Sequence, residues 1–373
     1  MYKAAINLSK FREMTAEEVE RFLSEELGKN PNDEHLNESW NACFERLQQT
    51  HKDLSKSFIQ RDEAIRMVLA GLISGVPNLL MGPPGTAKSA MVGAIAKACG
   101  IGGIGNQQYF EYLLTNHTMP EELFGGIDLE ILQEGRVVKN TAGKMPVAEI
   151  AFLDEVFRGG SHILNTLLTI INERRYDSGD GTKFVPLLGI IGASNFAPTD
   201  EILEAFFDRF PIRFWVQPVL TPRRFVEAGS VDDARILLQS SMKQARSKLS
   251  ESWGKSETAE SPPTICTNDF RLARFVLLHK LDRLGGNSER FETFEKNFRV
   301  FQPECKLSDR SFAQLWMVAG ALDLLDGRKL SGSHANHRGV YDVFRFVARS
   351  EAEAKICNDR VNQRLGKSNI SGN

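Results

Sequence analysis

The sequence predicts an α/β protein: a five-stranded parallel sheet flanked by helices, followed by a small all-helical domain. Three observations carry this. Short apolar runs at 79–81, 109–114, 150–153, 187–192 and 212–216 alternate with stretches of helical period, the pattern of strands buried on both faces. After residue 218 such runs stop and long helical patterns follow, at 232–248, 270–284, 309–325 and 340–357. The first apolar run also leads directly into a loop bounded by Gly82 and Gly85 and then into a helix.

With 373 residues the chain exceeds the size at which one core usually stops growing, so about two domains are expected. Its 46 Lys and Arg against 48 Asp and Glu leave a formal charge of −2, which gives no global electrostatic case for nucleic acid or an anionic membrane. Cys43, Cys99, Cys266, Cys305 and Cys357 are scattered and never form a C-x-x-C pair, which argues against a disulfide framework or a zinc site and for a reducing compartment. The first residues lack the apolar core of a signal peptide and no run has the length of a membrane span, so a cytoplasmic location is expected.

Taken in order, 1–54 reads as an N-terminal helical segment, with two helices within 15–54 divided by the breaker-rich run 28–33. Apolar positions 58, 59, 65, 68, 69 and 72 share one helix face, and Gly75-Val76-Pro77 stops that helix just before the first strand. After the glycine-bounded loop, Met91, Val92, Ile95, Ala96 and Cys99 give the next helix one face to lay on a sheet. The stretch 247–263 is rich in Ser, Glu, Lys and Pro, and the tail from Gly366 is rich in Ser and Asn; both read as mobile.

Gly82-Pro83-Pro84-Gly85-Thr86-Ala87-Lys88-Ser89-Ala90 reads as a phosphate cradle, because inward-facing backbone N–H groups at a helix N-terminus make a concavity of positive potential. Lys88 adds a point charge against the β- and γ-phosphates of a nucleoside triphosphate, and the Ser89 hydroxyl sits where it can ligate Mg²⁺. Ala87 stands where the strict pattern has its second glycine. It is expected to keep a negative φ with its Cβ turned from the phosphates.

Glu149-Ile150-Ala151-Phe152-Leu153-Asp154-Glu155 is an apolar strand ending in two carboxylates. Beside a phosphate loop, Asp154 is assigned to the metal shell and Glu155 to the water that attacks the γ-phosphate. A second apolar strand ends in Gly192-Ala193-Ser194-Asn195, placing an uncharged amide that can hold the same water or a phosphate oxygen.

These residues bring out a resemblance to the MoxR branch of the AAA+ ATPases, and most closely to its RavA-like group. It is carried by 82–89, where alanine before lysine is typical of the branch, by Thr118-Met119-Pro120-Glu121-Glu122-Leu123-Phe124-Gly125, Phe152-Leu153-Asp154-Glu155, Asn172-Glu173-Arg174-Arg175, Ala193-Ser194-Asn195, Asp208-Arg209-Phe210 and Leu307-Ser308-Asp309-Arg310, and it covers about 58–330. The resemblance implies an AAA+ P-loop NTPase core at 55–217 with an inserted element near 125–146, then a helical lid at 218–373. It further implies that Asn195 is the sensor 1 residue, Arg209 an arginine finger offered to a neighbouring subunit, and Arg310 the sensor 2 arginine of the lid, with Ile59 among the nucleotide contacts. The residues 177–181 resemble the tip of a hairpin that precedes the sensor strand.

ATP and Mg²⁺ are the implied cofactors. The implied partners are further copies of the chain in a hexameric ring, a client protein that is remodelled or activated, and a von Willebrand factor A domain protein. RavA proteins carry an extension beyond the lid that recruits a partner, and the chain stops soon after the lid, so the resemblance does not carry that partner over. The alternative is an AAA+ subunit of a nucleic-acid-acting or restriction-type defence complex, with Lys139 and Lys144 of the insert supplying local charge. His334 and His337 have metal-compatible spacing but lie in a Ser/Gly-rich loop without Cys or acids, and no metal site is expected there.

Overall fold

A computed structural model describes residues 14–23, 25, 34–101, 108–198, 200–219, 265–284, 286, 288–328, 330 and 338–370. The breaker run 28–33, the expected helix 232–248, the expected mobile stretch 247–263 and the His334–His337 pair lie outside the described residues.

The chain enters through helices α1 (Ala16–Phe22), α2 (Glu34–Ser57) and α3 (Asp62–Ser74), then β1 (Asn78–Met81), α4 (Lys88–Ala98) and β2 (Tyr109–Leu113). Two short helices, α5 (Pro120–Phe124) and α6 (Leu129–Gln133), precede β3 (Ile150–Asp154) and α7 (Ser161–Glu173). A hairpin of β4 (Arg175–Asp177) and β5 (Thr182–Phe184) leads to β6 (Gly189–Ser194), α8 (Glu201–Phe207) and β7 (Ile212–Trp215). The described residues from 265 onward are mainly helical: α9 (Thr267–Leu284), α10 (Glu289–Cys305), α11 (Asp309–Leu325), α12 (Gly339–Asp342) and α13 (Glu351–Ile370).

The main sheet has the order β2-β3-β6-β1-β7 with every pair parallel. Its alternation follows the pleat: Leu80, Phe152 and Ile191 join one apolar core, whereas Leu79, Met81, Ala151, Leu153 and Ile190 join the other. The second core is closed by α5, α7 and α8. The first runs without a break from the sheet through α3 and α4 into α1, α2 and the C-terminal helices, so those helices share the sheet's core.

Buried ion pairs rivet this face. Arg66 of α3 reaches Asp326 at 2.6 Å and Asp342 at 3.3 Å. Arg271 of α9 reaches Glu149 at 2.7 Å, at the foot of β3, and Arg290 meets Asp323 at 2.7 Å with both side chains 0% exposed. The N-terminal helix α2 is held to the same helices: Arg46 donates to Asp269 at 2.5 Å and Gln48 to the Leu324 carbonyl at 3.0 Å.

Three expectations need correction. The fourth strand runs 189–194 rather than 187–192, because its ladder to β3 begins at the Gly189–Ile150 pair. The expected helix 340–357 is interrupted after Phe346. There Ser350 accepts from the Glu353 N–H at 3.2 Å while Glu353 accepts from the Arg349 N–H at 2.9 Å, a reciprocal cap that starts a new helix, and that helix continues through Gly366 to Ile370. Helix α10, which no expectation included, supplies Phe294, Phe298 and Phe301 to an aromatic cluster with Phe312, Trp316 and Phe344.

Candidate nucleotide site

The parallel order brings three strand ends to one edge: Met81 pairs with Ser194, and Leu153 with Gly192, so the loops after β1, β3 and β6 open side by side. The turn after β1 demands glycine at once. Gly82 has φ +136°, and a Cβ there would lie 2.3 Å from the Val216 carbonyl oxygen. Thr86 Oγ1 donates to the Pro83 carbonyl at 2.9 Å, curling the loop back on itself.

Ala87 does not keep a negative φ; it sits at φ +64°, ψ +27°, in the left-handed region, as the N-cap of α4. The glycine of the strict pattern is thus replaced without a change of backbone shape, at a cost on the order of 1–2 kcal/mol. Lys88 follows, 7% exposed, and its Nζ donates to Gly82 O at 2.7 Å, Pro83 O at 3.1 Å and Asn195 Oδ1 at 3.0 Å. Burial pushes the Lys88 ammonium below its usual range, against the opposing pull of Asp154 and Glu155.

At the end of β3, Asp154 Oδ1 accepts from the Glu155 N–H at 3.0 Å and its Oδ2 from Ser89 Oγ at 3.4 Å. Among the described residues no cluster of three or more His, Cys, Asp or Glu could hold a metal. One hydroxyl beside one carboxylate is nevertheless the donor set that Mg²⁺ accepts when phosphate oxygens and water complete its octahedron, so Ser89 and Asp154 fit the ion expected there. Glu155 takes a left-handed backbone, φ +51°. Its Oε1 accepts from Asn195 Nδ2, and its Oε2 lies 3.4 Å from Arg158 Nε. Lys88, Asn195 and Glu155 therefore form one hydrogen-bonded chain through both ends of a single amide.

Arg209 and Arg310 are not part of this hydrogen-bonded group, and the charge of Arg310 bears on Arg209. Arg209 is half-buried in the turn after α8, its Nε buried without a hydrogen-bond partner. Burial first, and the charge of Arg310 second, push its guanidinium below its usual range. Arg310 opens α11 and donates to Asn172 Oδ1 at 3.1 Å, at the end of α7. Among the described residues no hydrogen bond or ion pair joins either arginine to Lys88, Asp154, Glu155 or Asn195. Ile59 is half-buried in the turn ahead of α3.

Sequence reading missed Arg61. Its guanidinium gathers the Thr86 carbonyl at 3.2 Å, Gln60 at 3.1 Å and Gln217 at 2.9 Å, tying the Ile59 turn, the phosphate loop and the chain after β7. Arg213 was also missed. Fully buried in β7, it stacks 4.0 Å from the Phe207 ring, donates to Phe210 O at 2.8 Å and Val347 O at 3.1 Å, and is pushed down to about 10 by burial. It thereby shapes the turn that carries Arg209.

The segment 124–140 packs on the β4–β5 hairpin. Lys139 N–H donates to Ser178 O at 2.8 Å, Tyr176 Oη to Phe124 O at 2.9 Å, and Gly125, at φ +92°, lets the Asn140 carbonyl approach where a Cβ would lie 2.0 Å away. Leu129 and Leu132 of α6 remain exposed, at 70% and 41%. Among the described residues no helix is long and apolar enough to cross a membrane.

Comparison with known proteins agrees with this geometry. Residues 45–247 match the family model described as the MoxR domain in the MoxR-vWA-beta-propeller ternary systems. An uncharacterized protein of Methanocaldococcus jannaschii is 40% identical over 189 residues, 50% of this chain and 48% of that protein. The chaperone MoxR1 of Mycobacterium tuberculosis is 26% identical over 162 residues, 42% of this chain and 41% of that one. The chain thus spans less than half the length of these curated relatives. A crystal structure of a candidate ATPase from Cytophaga hutchinsonii superposes with a TM-score of 0.60 at 18% identity, covering 89% of this chain and 96% of that one, a likeness of fold. With more than half of its length matched by the family model, and with a parallel five-stranded core followed by a helical lid, the chain belongs to the MoxR family of AAA+ ATPases.

Proposed function

We propose that the chain binds ATP with Mg²⁺, hydrolyses it in a ring of like subunits, and uses the cycle to remodel or activate a client protein alongside a von Willebrand factor A domain partner. The observation that carries the hydrolytic part is the Lys88–Asn195–Glu155 chain beside the Ser89–Asp154 pair. One cation for phosphate, one oxygen pair for a metal shell and one carboxylate for a water stand within a single hydrogen-bonded group.

In this reading Lys88 exchanges its carbonyl partners for phosphate oxygens, Ser89 and Asp154 hold Mg²⁺, and the ion's chemistry is to neutralise charge on the transferred phosphoryl group. Glu155 orients the attacking water and takes its proton at a carboxylate oxygen. Asn195 fixes the distance between that carboxylate and the lysine. The lid arginine is assigned differently from the sequence expectation: the bond of Arg310 to Asn172 and its charge on Arg209 support giving both arginines to the site of a neighbour. Two guanidiniums held in one field, one with a buried unpaired Nε, gain when an anion is brought to them. The von Willebrand factor A partner is supported by the family description alone, and the client by the chaperone name of the Mycobacterium tuberculosis relative.

Nucleotide binding and turnover measured separately test the reading. The unaltered chain should bind ATP with Mg²⁺ and release phosphate; Lys88→Ala should lose binding; Glu155→Gln should bind and fail to turn over. Binding that is unchanged in Lys88→Ala would overturn the site.

A further inference from the structure

We propose that Arg158 is a brake on Glu155: a positioning residue whose guanidinium holds the second carboxylate oxygen until it swings out. The proposal rests on the ATPase reading of the site. Arg158 and Glu155 share one 3₁₀ turn, closed by Arg158 N–H donating to Glu155 O at 2.8 Å, and the left-handed backbone of Glu155 folds the two side chains back toward each other.

Both oxygens of Glu155 are engaged. Oε1 accepts from Asn195, which is itself tied to Lys88, so releasing it disturbs a part-buried chain of hydrogen bonds. Oε2 is buried and makes no aligned hydrogen bond, only the 3.4 Å ion pair with Arg158 Nε. A carboxylate that must turn toward water will release the less strongly held oxygen, and that is Oε2.

Arg158 can let go cheaply. Its side chain is 53% exposed, against 12% for Glu155, and it lines a surface cleft of about 510 Å³ with Thr115, His117, Phe157 and Phe196. That lining contains no carboxylate, and among the described residues Glu155 is the sole acid paired with Arg158. An exposed cation whose single acidic partner is the carboxylate assigned to the attacking water is placed to restrain that carboxylate and has no comparable role in packing.

Steady-state ATP hydrolysis by the full chain tests this, with KM and kcat separated. Arg158→Ala and Arg158→Gln should raise kcat about twofold to fivefold, the range of a weak, half-exposed pair, with KM for ATP unchanged. Arg158→Lys, which keeps the charge, should stay near the parent. Because Oε2 is buried, salt should reduce the excess only in part between ~0.05 M and ~0.5 M; the return to the parent rate in Arg158→Lys is the response that a merely structural role would not give. A kcat in both neutral variants equal to or below that of an active parent, or an excess that persists in Arg158→Lys, would overturn the brake and leave the ATPase reading standing. A parent that binds ATP but never turns it over would overturn that reading, and the brake with it.

Discussion

Asn195 accepts from the Lys88 ammonium at 3.0 Å, so the residue at the end of β6 reads the position of the phosphate-loop lysine directly. Its other amide end donates to Glu155. Replacing Asn195 with Ala should leave ATP affinity within about fivefold and lower kcat on the order of 10²-fold, the loss of one preorganised polar group. Titration with a fluorescent ATP analogue and phosphate release measure the two quantities; an equal fall in affinity would place Asn195 in binding instead.

Lys88 gives the site a pH dependence of known sign. Burial lowers its folded-state pKa, so between that value and the ordinary lysine value the folded chain carries fewer protons than the unfolded chain. Across that alkaline window the folding penalty from the buried charge is relieved as pH rises, while the cation needed for phosphate is lost. ATP affinity should therefore weaken on the alkaline side earlier than an unperturbed lysine would dictate, and Lys88→Arg should move the fall to higher pH. Binding isotherms across the range check this.

Ala87 carries backbone strain at φ +64°. Ala87→Gly should be neutral or stabilising by up to about 1 kcal/mol, relief of the left-handed cost being offset by unfolded-chain entropy. Ala87→Val, β-branched at the same φ, should destabilise by about 1–2 kcal/mol or more. Denaturant melts of the two variants give the comparison.

Arg310 raises the cost of charging Arg209. Arg310→Ala should leave the stability of the isolated chain unchanged or slightly higher, within about 0.5 kcal/mol, and still reduce turnover, because its role lies in the assembly. A clear loss of stability in the isolated chain would mark it as structural.

Much of this was legible in the sequence because local chemistry and periodicity agree there. Five apolar runs placed the parallel sheet, with only the strand of Ile190 and Ile191 displaced by two residues, and 82–89 announced the turn that Gly82 alone permits. The conformation of Ala87 was misjudged because a residue type reports what φ it prefers, not what the loop imposes. The break before α13 was visible in Ser350-Glu351-Ala352-Glu353, a capping sequence outweighed by the apolar run ahead of it. Arg61 and Arg213 left no signal, since an arginine bound to carbonyl groups remote in sequence looks like one that faces water. The proximity of Arg209 and Arg310 was invisible for the same reason, their positions being set by how α11 packs on the core.

The central claim, that a site built on Lys88 is completed by Arg209 and Arg310 of a neighbour, is tested most directly by mixing inactive variants. Lys88→Ala lacks a cradle but keeps both arginines, while Arg209→Ala and Arg310→Ala each keep the cradle. Combined under conditions of measured subunit exchange, Lys88→Ala with Arg209→Ala should regain ATP hydrolysis that neither shows alone, and Lys88→Ala with Arg310→Ala should do the same. Recovery with Arg209→Ala but not with Arg310→Ala would return Arg310 to its own subunit; no recovery in either mixture would contradict the shared site.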